Sequence, residues 1–162
     1  MFRFASLLSG ALLLAGTAYA DVVRHPIPNS DFPIARAVEV PDDATTVYLS
    51  GAVPSVVNED AEETSVDAYG DMAEQTRSVF QSIEQTLQDM EMAIGDIVKL
   101  QVFLVGQDGE PMDFSGFMEG YTEFFGTDDQ PNLPARSVFE VAGLANPGWL
   151  VEIEAIAVRE DD

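Results

Sequence analysis

At 162 residues, 46% of them apolar, the chain has the length and composition of one domain with a sizeable core. Twenty-nine acidic residues against seven basic ones give a formal net charge of −22, which repels nucleic acid and anionic membrane surfaces and argues against both as partners. Cysteine is absent, which removes disulfides, thiolate nucleophiles and thiolate zinc sites, and the single histidine, His25, leaves serine–histidine catalysis without a candidate pair.

The chain opens on a basic leader, Met1-Phe2-Arg3, followed by an apolar run from Ala5 to Gly16 and the small-x-small signature Ala18-Tyr19-Ala20. That order reads as a secretory signal peptide over residues 1–20, cleaved after Ala20, because the apolar run is too short to span a bilayer. The expectation is one domain over 21–162, periplasmic or secreted, with no membrane association once the signal is removed. Acidic runs at Asn58-Glu59-Asp60-Ala61-Glu62-Glu63 and Glu160-Asp161-Asp162 read as solvated faces.

Ala35 to Val40 and Thr46 to Ser50 are short β-type runs around Pro41-Asp42-Asp43, a turn signal that predicts a hairpin. Gly51 to Gly70 reads as an acidic loop. From Asp71 to about Met92 the residues Met72, Val79, Phe80, Ile83, Leu87 and Met90 recur at helical spacing, with Gly95 as the expected stop. Ile97 to Val105 is apolar on both faces, which predicts a central, covered strand. Asp113 is a natural N-cap for a second helix, whose stripe of Phe114, Phe117, Met118, Tyr121, Phe124 and Phe125 reads as core or subunit contact.

A Pro/Asp loop from Gly126 to Pro134 delivers Arg136 into the strand Ser137 to Val141, and Asn146-Pro147-Gly148 turns the chain into the strand Leu150 to Val158. The order β-β-α-β-α-β-β predicts an α+β sandwich, a mixed sheet with two helices on one face. In the last strand Val151, Ile153, Ala155 and Ala157 fill one side, while Glu152 and Glu154 share the other with Ile156 and Val158. Two acids beside two aliphatic residues do not sit unpaired in a dry core, so that face meets either water or, as the favoured reading, a partner subunit that satisfies the acids. Arg136 and Glu152 form a cation and an acid on nearby strands, suited to holding an anionic small molecule and moving a proton on it. Two readings stay open for each: Arg136 is a ligand clamp or the basic half of an interface salt bridge, and Glu152 moves a proton on the ligand or completes that bridge. Ser50 and Gly51 read as the end of a strand.

Several of these segments resemble the RidA family (reactive intermediate deaminase A, also called YjgF). They are Pro134-Ala135-Arg136-Ser137 with Val138-Phe139-Glu140-Val141, and Val151-Glu152-Ile153-Glu154-Ala155-Ile156-Ala157-Val158. Gly95-Asp96-Ile97-Val98-Lys99, Asp113-Phe114 with Tyr121-Thr122-Glu123-Phe124-Phe125, and Leu49-Ser50-Gly51 extend the likeness over most of residues 35–159. The resemblance implies a chorismate-mutase-like fold and a homotrimer with clefts between subunits. It also implies hydrolysis of small enamines and imines of the 2-aminoacrylate type to 2-keto acids and ammonia, without metal or organic cofactor. Carried over residue by residue, it makes Arg136 the carboxylate clamp and Glu152 the water-positioning acid. The backbone carbonyl of Val138 joins them as a catalytic group, and Ser50, Gly51 and Ile34 line the cleft. Three positions depart from the family pattern: Ile34 stands where enamine-hydrolysing members carry a cleft tyrosine, Ala52 where a polar residue is common, and Met118 where asparagine is common. These changes make the pocket more apolar. The alternative function is a non-catalytic trimer of the exported space that binds a small metabolite or unfolded partners, and a less favoured one is an acidic structural subunit with an inactive cleft.

Overall fold

The computed structural model describes residues 21–107 and 109–159; the expected signal segment and the acidic tail at 160–162 lie outside the described residues. In chain order the elements are β1 (Val23–Pro26), β2 (Ala35–Glu39), β3 (Thr45–Ala52), α1 (Met72–Gln88), β4 (Ile97–Val105), α2 (Phe114–Tyr121), β5 (Ala135–Val141) and β6 (Val151–Arg159). Short 3-10 turns at Val66–Ala68 and Ile94–Asp96 precede α1 and β4. The strands form one mixed sheet in the order β1-β2-β5-β4-β6-β3, with β4 parallel to β5 and antiparallel to β6. This is the expected α+β sandwich with one added strand. The segment Val23-Arg24-His25-Pro26 has no apolar alternation and contains a proline, so only its pairing with β2 reveals it as a strand.

The expected hairpin between the first two β runs does not form. The chain does turn after Pro41, where the Ala44 amide donates to the Pro41 carbonyl at 3.3 Å. Yet β2 pairs with β1, while β3 runs antiparallel along β6 at the opposite edge of the sheet. The choice follows burial: beside β6, Val47 and Leu49 align with the buried Ala157 and Ala155 and pack against the core.

Helix α1 starts where its residues predict. The Asp71 carboxylate accepts from the Glu74 amide at 2.9 Å and Glu74 returns a bond to the Asp71 amide, a reciprocal capping box. Its end differs from expectation, since Gly95 lies in the later 3-10 turn. Glu91 takes a left-handed conformation (φ 58°), its amide donates to the Gln88 carbonyl and the Met92 amide to the Leu87 carbonyl, a Schellman closure. The buried pair Leu87 and Met92 supplies the accompanying apolar contact.

The core lies between the helices and one face of the sheet. Leu100, Val102 and Leu104 of β4 and Val151, Ile153 and Ala157 of β6 are sealed under Val79, Phe80, Ile83 and Leu87 of α1 and Phe117 and Tyr121 of α2. Fully burying each large apolar side chain contributes about 1.5–3 kcal/mol. Phe80 meets Tyr121, Phe124 and Phe125 at ring separations of 5.9, 5.3 and 5.3 Å, fixing the second helix segment on the first. The helices approach closely because Gly120 has no side chain: a Cβ there would lie 2.9 Å from the Ala73 carbonyl oxygen. Gln75, wholly buried in α1, donates to the carbonyls of Gly70 (2.9 Å) and Gly148 (3.0 Å) and accepts from the Leu150 amide (2.8 Å). That clasp sets the entry of β6, just ahead of Glu152.

The other sheet face is not covered by the described residues. Phe103 and Phe139 stack there at 6.0 Å, the Gln101 amide donates to Glu154 at 2.9 Å, and the Lys99 ammonium donates to the Ser137 hydroxyl at 3.2 Å. Tyr48 is 77% and Phe139 47% exposed. β4 is therefore central, as expected, but none of the described residues covers its second face. Among the described residues, no helix is long and apolar enough to cross a membrane.

Candidate functional site

Arg136 enters β5 directly after Pro134 and Ala135, opposite Leu100 of β4. Register partners point the same way, so its side chain enters the helix layer as Leu100 does. There the guanidinium carbon lies 4.2 Å from the Tyr121 ring centre, 5.1 Å from Phe117, 5.9 Å from Phe114 and 5.5 Å from Phe32. Phe114, Phe117 and Tyr121 recur at helical spacing on α2 and form one wall. Phe32 is brought in by a tight turn in which the Ile34 amide donates to the Phe32 carbonyl at 2.8 Å. The Tyr121 hydroxyl donates to the Pro33 carbonyl at 2.7 Å and ties that turn to α2.

The ring faces attract the cation but accept no strong hydrogen bond from it. Arg136 has no carboxylate partner among the described residues, and its Nη1 is buried without a hydrogen-bond partner. An interface salt bridge to Arg136 would have to come from an acid of a partner subunit. Burial lowers the Arg136 pKa from its ordinary value, partly offset by Tyr121, and burial raises the Tyr121 phenol well above the ordinary tyrosine range. Arg136 and Ile34 line one depression of about 510 Å³ together with Ile27, Pro28, Arg36 and Lys99. Val138, two residues further along β5, points its side chain toward the helices and packs on the core. Beyond Ala135 no described strand covers that edge of β5, since β2 pairs with it only at Ala35.

Glu152, Gly51 and Ser50 form a second group. Glu152 lies opposite Phe103 in β6, on the open face. In β3 the register against β6 slips between Leu49 and Ala52, placing Ser50 and Gly51 in a bulge opposite Glu154. The Glu152 side chain lies over the backbone of Gly51, where a Cβ would fall 2.9 Å from its Cδ. Ser50 is exposed at the same bulge, and Ala52 resumes the ladder opposite Ile153. Met118 packs at the core edge of α2.

The two groups do not meet within one chain. Leu100 and Phe103, the β4 partners of Arg136 and Glu152, are three residues apart and face opposite sides of the sheet, so Arg136 and Glu152 do too. The ring cage around Arg136 and the Gln75 clasp escaped the sequence reading, although the i, i+3, i+7 spacing of Phe114, Phe117 and Tyr121 carried a signal for the first. His25 is half-exposed and bonds Glu39 at 2.8 Å, away from both groups. Among the described residues, no cluster of three or more His, Cys, Asp or Glu side chains could hold a metal ion.

Residues 28–159 match the family model described as endoribonuclease L-PSP. A RutC family protein of Pyrococcus abyssi is 31% identical over 139 residues, covering 86% of this chain and 96% of the relative. The 2-iminobutanoate/2-iminopropanoate deaminase of Escherichia coli is 33% identical over 131 residues, 81% of this chain and 93% of that enzyme. Among solved structures, E. coli TdcF with bound serine superposes with a TM-score of 0.55 at 29% identity, covering 78% of this chain and 92% of TdcF. Rv2704 of Mycobacterium tuberculosis, a YjgF/YER057c/UK114 family member, gives 0.54 at 25% identity, covering 85% and 98%.

Proposed function

The chain belongs to the endoribonuclease L-PSP family, which includes the RidA and RutC proteins, and on that premise we propose that it is a hydrolytic deaminase of small 2-imino acids, yielding 2-oxo acids and ammonia. The observation that carries this reading is Arg136, a half-buried guanidinium held by rings with one nitrogen left without a partner. A substrate carboxylate completes it with a charge-assisted bond, stronger for being partly desolvated. RNA, which the family's name brings to mind, is disfavoured by a net charge of −22.

The reaction adds water to the iminium carbon of R–C(=NH2+)–COO− and releases R–CO–COO− and NH4+. Glu152 holds the water, takes one of its protons as oxygen attacks and passes it to nitrogen; the C–N bond then breaks as the carbinol hydroxyl gives up the second proton, which leaves on ammonia as ammonium while the C=O forms. The Val138 carbonyl orients the leaving nitrogen as an acceptor, and Ser50, Gly51 and Ile34 line the cleft. Because Arg136 and Glu152 occupy opposite sheet faces, the cleft joins Arg136 of one copy to Glu152 of the next in a homotrimer packed through the open face. The exposed Tyr48 and Phe139 on that face support an interface there.

Subunit mixing tests both claims together. Arg136→Ala and Glu152→Gln homotrimers are each expected to lose at least about a hundredfold in kcat/KM for 2-iminopropanoate generated in situ. Each mixed trimer of the two variants regains one intact cleft, and so up to about one third of wild-type turnover. Inactive mixtures would refute the shared cleft. A wild type that accelerates no imine, yet binds 2-oxo acids through Arg136, would leave the non-catalytic binding module.

A further inference from the structure

The surroundings of Arg136 also bear on which imino acid the cleft takes. A carboxylate bonded to the accessible side of the half-buried guanidinium, where Arg136 lines the depression, brings its Cα substituent within a few ångströms of the cage. The nearest walls are then Phe32 and Phe114, with Ile34, Ile27 and Pro28 lining the adjoining depression. Phe32 is 41% exposed although its ring lies on a guanidinium, so it stands at the mouth rather than in the core. The one hydroxyl in the cage, that of Tyr121, is already donated to the Pro33 carbonyl. The adjoining depression, about 510 Å³ and open to solvent, leaves room for a substituent larger than the methyl group of a three-carbon imine.

Two cations border the same space and offer a competing chemistry, a second anionic group on the substrate. Lys99 is engaged by the Ser137 hydroxyl at 3.2 Å, and Arg36 is exposed, where water screens its charge. The walls next to Arg136 itself are apolar, and they decide the assignment.

We propose that Phe32 and Ile34 form an apolar specificity wall, and that the preferred substrate is a 2-imino acid with a branched or aromatic apolar side chain rather than 2-iminopropanoate. This rests on the deaminase reading for its reaction, but not for its recognition. Apolar carbons buried in such a pocket typically gain tenfold or more in discrimination.

Titration calorimetry of the full chain with three stable 2-oxo acids reads the preference without turnover. 4-Methyl-2-oxopentanoate is expected to bind at least about tenfold tighter than pyruvate, and Phe32→Ala to bring that ratio down to about twofold. Ile34→Thr, which keeps the β-branch but removes the terminal methyl and adds a hydroxyl, is expected to lower the ratio as well. Equal or tighter binding of pyruvate, a ratio unmoved by Phe32→Ala, or no binding of any oxo acid overturns the proposal. Tightest binding of 2-oxoglutarate overturns it too and gives Arg36 and Lys99 the second carboxylate. If the apolar preference holds but no imine is turned over, the deaminase reading fails and the specificity wall stands.

Discussion

The two faces of the central sheet solve opposite problems with the same strands. On the helix-covered face, Arg136 is desolvated among Phe32, Phe114, Phe117 and Tyr121, with no carboxylate beside it among the described residues. On the open face, Glu152 and Glu154 share an uncovered surface with Tyr48, Phe103 and Phe139, and Glu152 rests on bare backbone at Gly51. A half-buried cation walled by rings and without its anion lowers stability, while a half-buried acid that rests on a glycine at the open face and still meets water costs less. The contrast separates two tasks. On the proposed function, one face gains by binding an anion and the other keeps a carboxylate in one place.

The sharpest way to break that comparison is Arg136→Met, which keeps most of the side chain's length and apolar packing and removes the charge. If the cage exists to present an uncompensated cation, kcat/KM for 2-imino acids falls by about a thousandfold, the scale of losing a buried charged partner. Thermal stability of the ligand-free protein should stay level or rise by less than about 1 kcal/mol, because an unpaired half-buried charge has been replaced by an apolar chain. Activity and melting temperature measured on one preparation check both halves. A clear loss of stability would mean that the guanidinium is a structural member of the cage.

On the other face Gly51→Ala is the matching change, with a smaller expected effect. The residue is not in the left-handed region, so the obstacle is space: the new methyl would press on the Glu152 carboxyl group. That group ends a flexible side chain and can swing away, so stability should change by less than about 1 kcal/mol. Turnover should fall roughly tenfold, as expected when a catalytic group shifts by a fraction of an ångström. Wild-type turnover in Gly51→Ala would show that Glu152 does not act from this position.

How much of this could be read beforehand follows from how local each feature is. The start of α1 lies in Asp71 and Glu74, three residues apart, and was legible; so was the apolar parity of Val151, Ile153, Ala155 and Ala157. The end of α1 was not, because Glu91 adopts a conformation that glycine usually takes, held there by two closing hydrogen bonds and the Leu87–Met92 contact. The hairpin failed because Pro41-Asp42-Asp43 specifies that the chain turns, not which strand it meets afterwards. Arg136 and Glu152 stood out as candidates, yet their placement on opposite faces needs the register of both strands against β4. The cage is less local still, since Phe32 reaches Arg136 across the whole fold.

Tyr121→Phe gives the smallest expected effect and tests the cage from inside. The phenol holds the Pro33 carbonyl and therefore the turn that carries Phe32 and Ile34, so its removal should cost about 1 kcal/mol at neutral pH. Its titration adds a second signature. Burial raises the folded-state pKa, so above the ordinary tyrosine pKa of about 10 the unfolded chain releases this proton while the folded chain keeps it. The unfolded state then binds fewer protons, and stability falls as pH rises past that point. Tyr121→Phe should therefore begin less stable at pH 7 and lose less between pH 9 and 11, so that the two denaturation curves converge with rising pH. Parallel curves would mean that the hydroxyl is solvated, and Arg136 would then lose the dry wall on which its affinity for an anion depends.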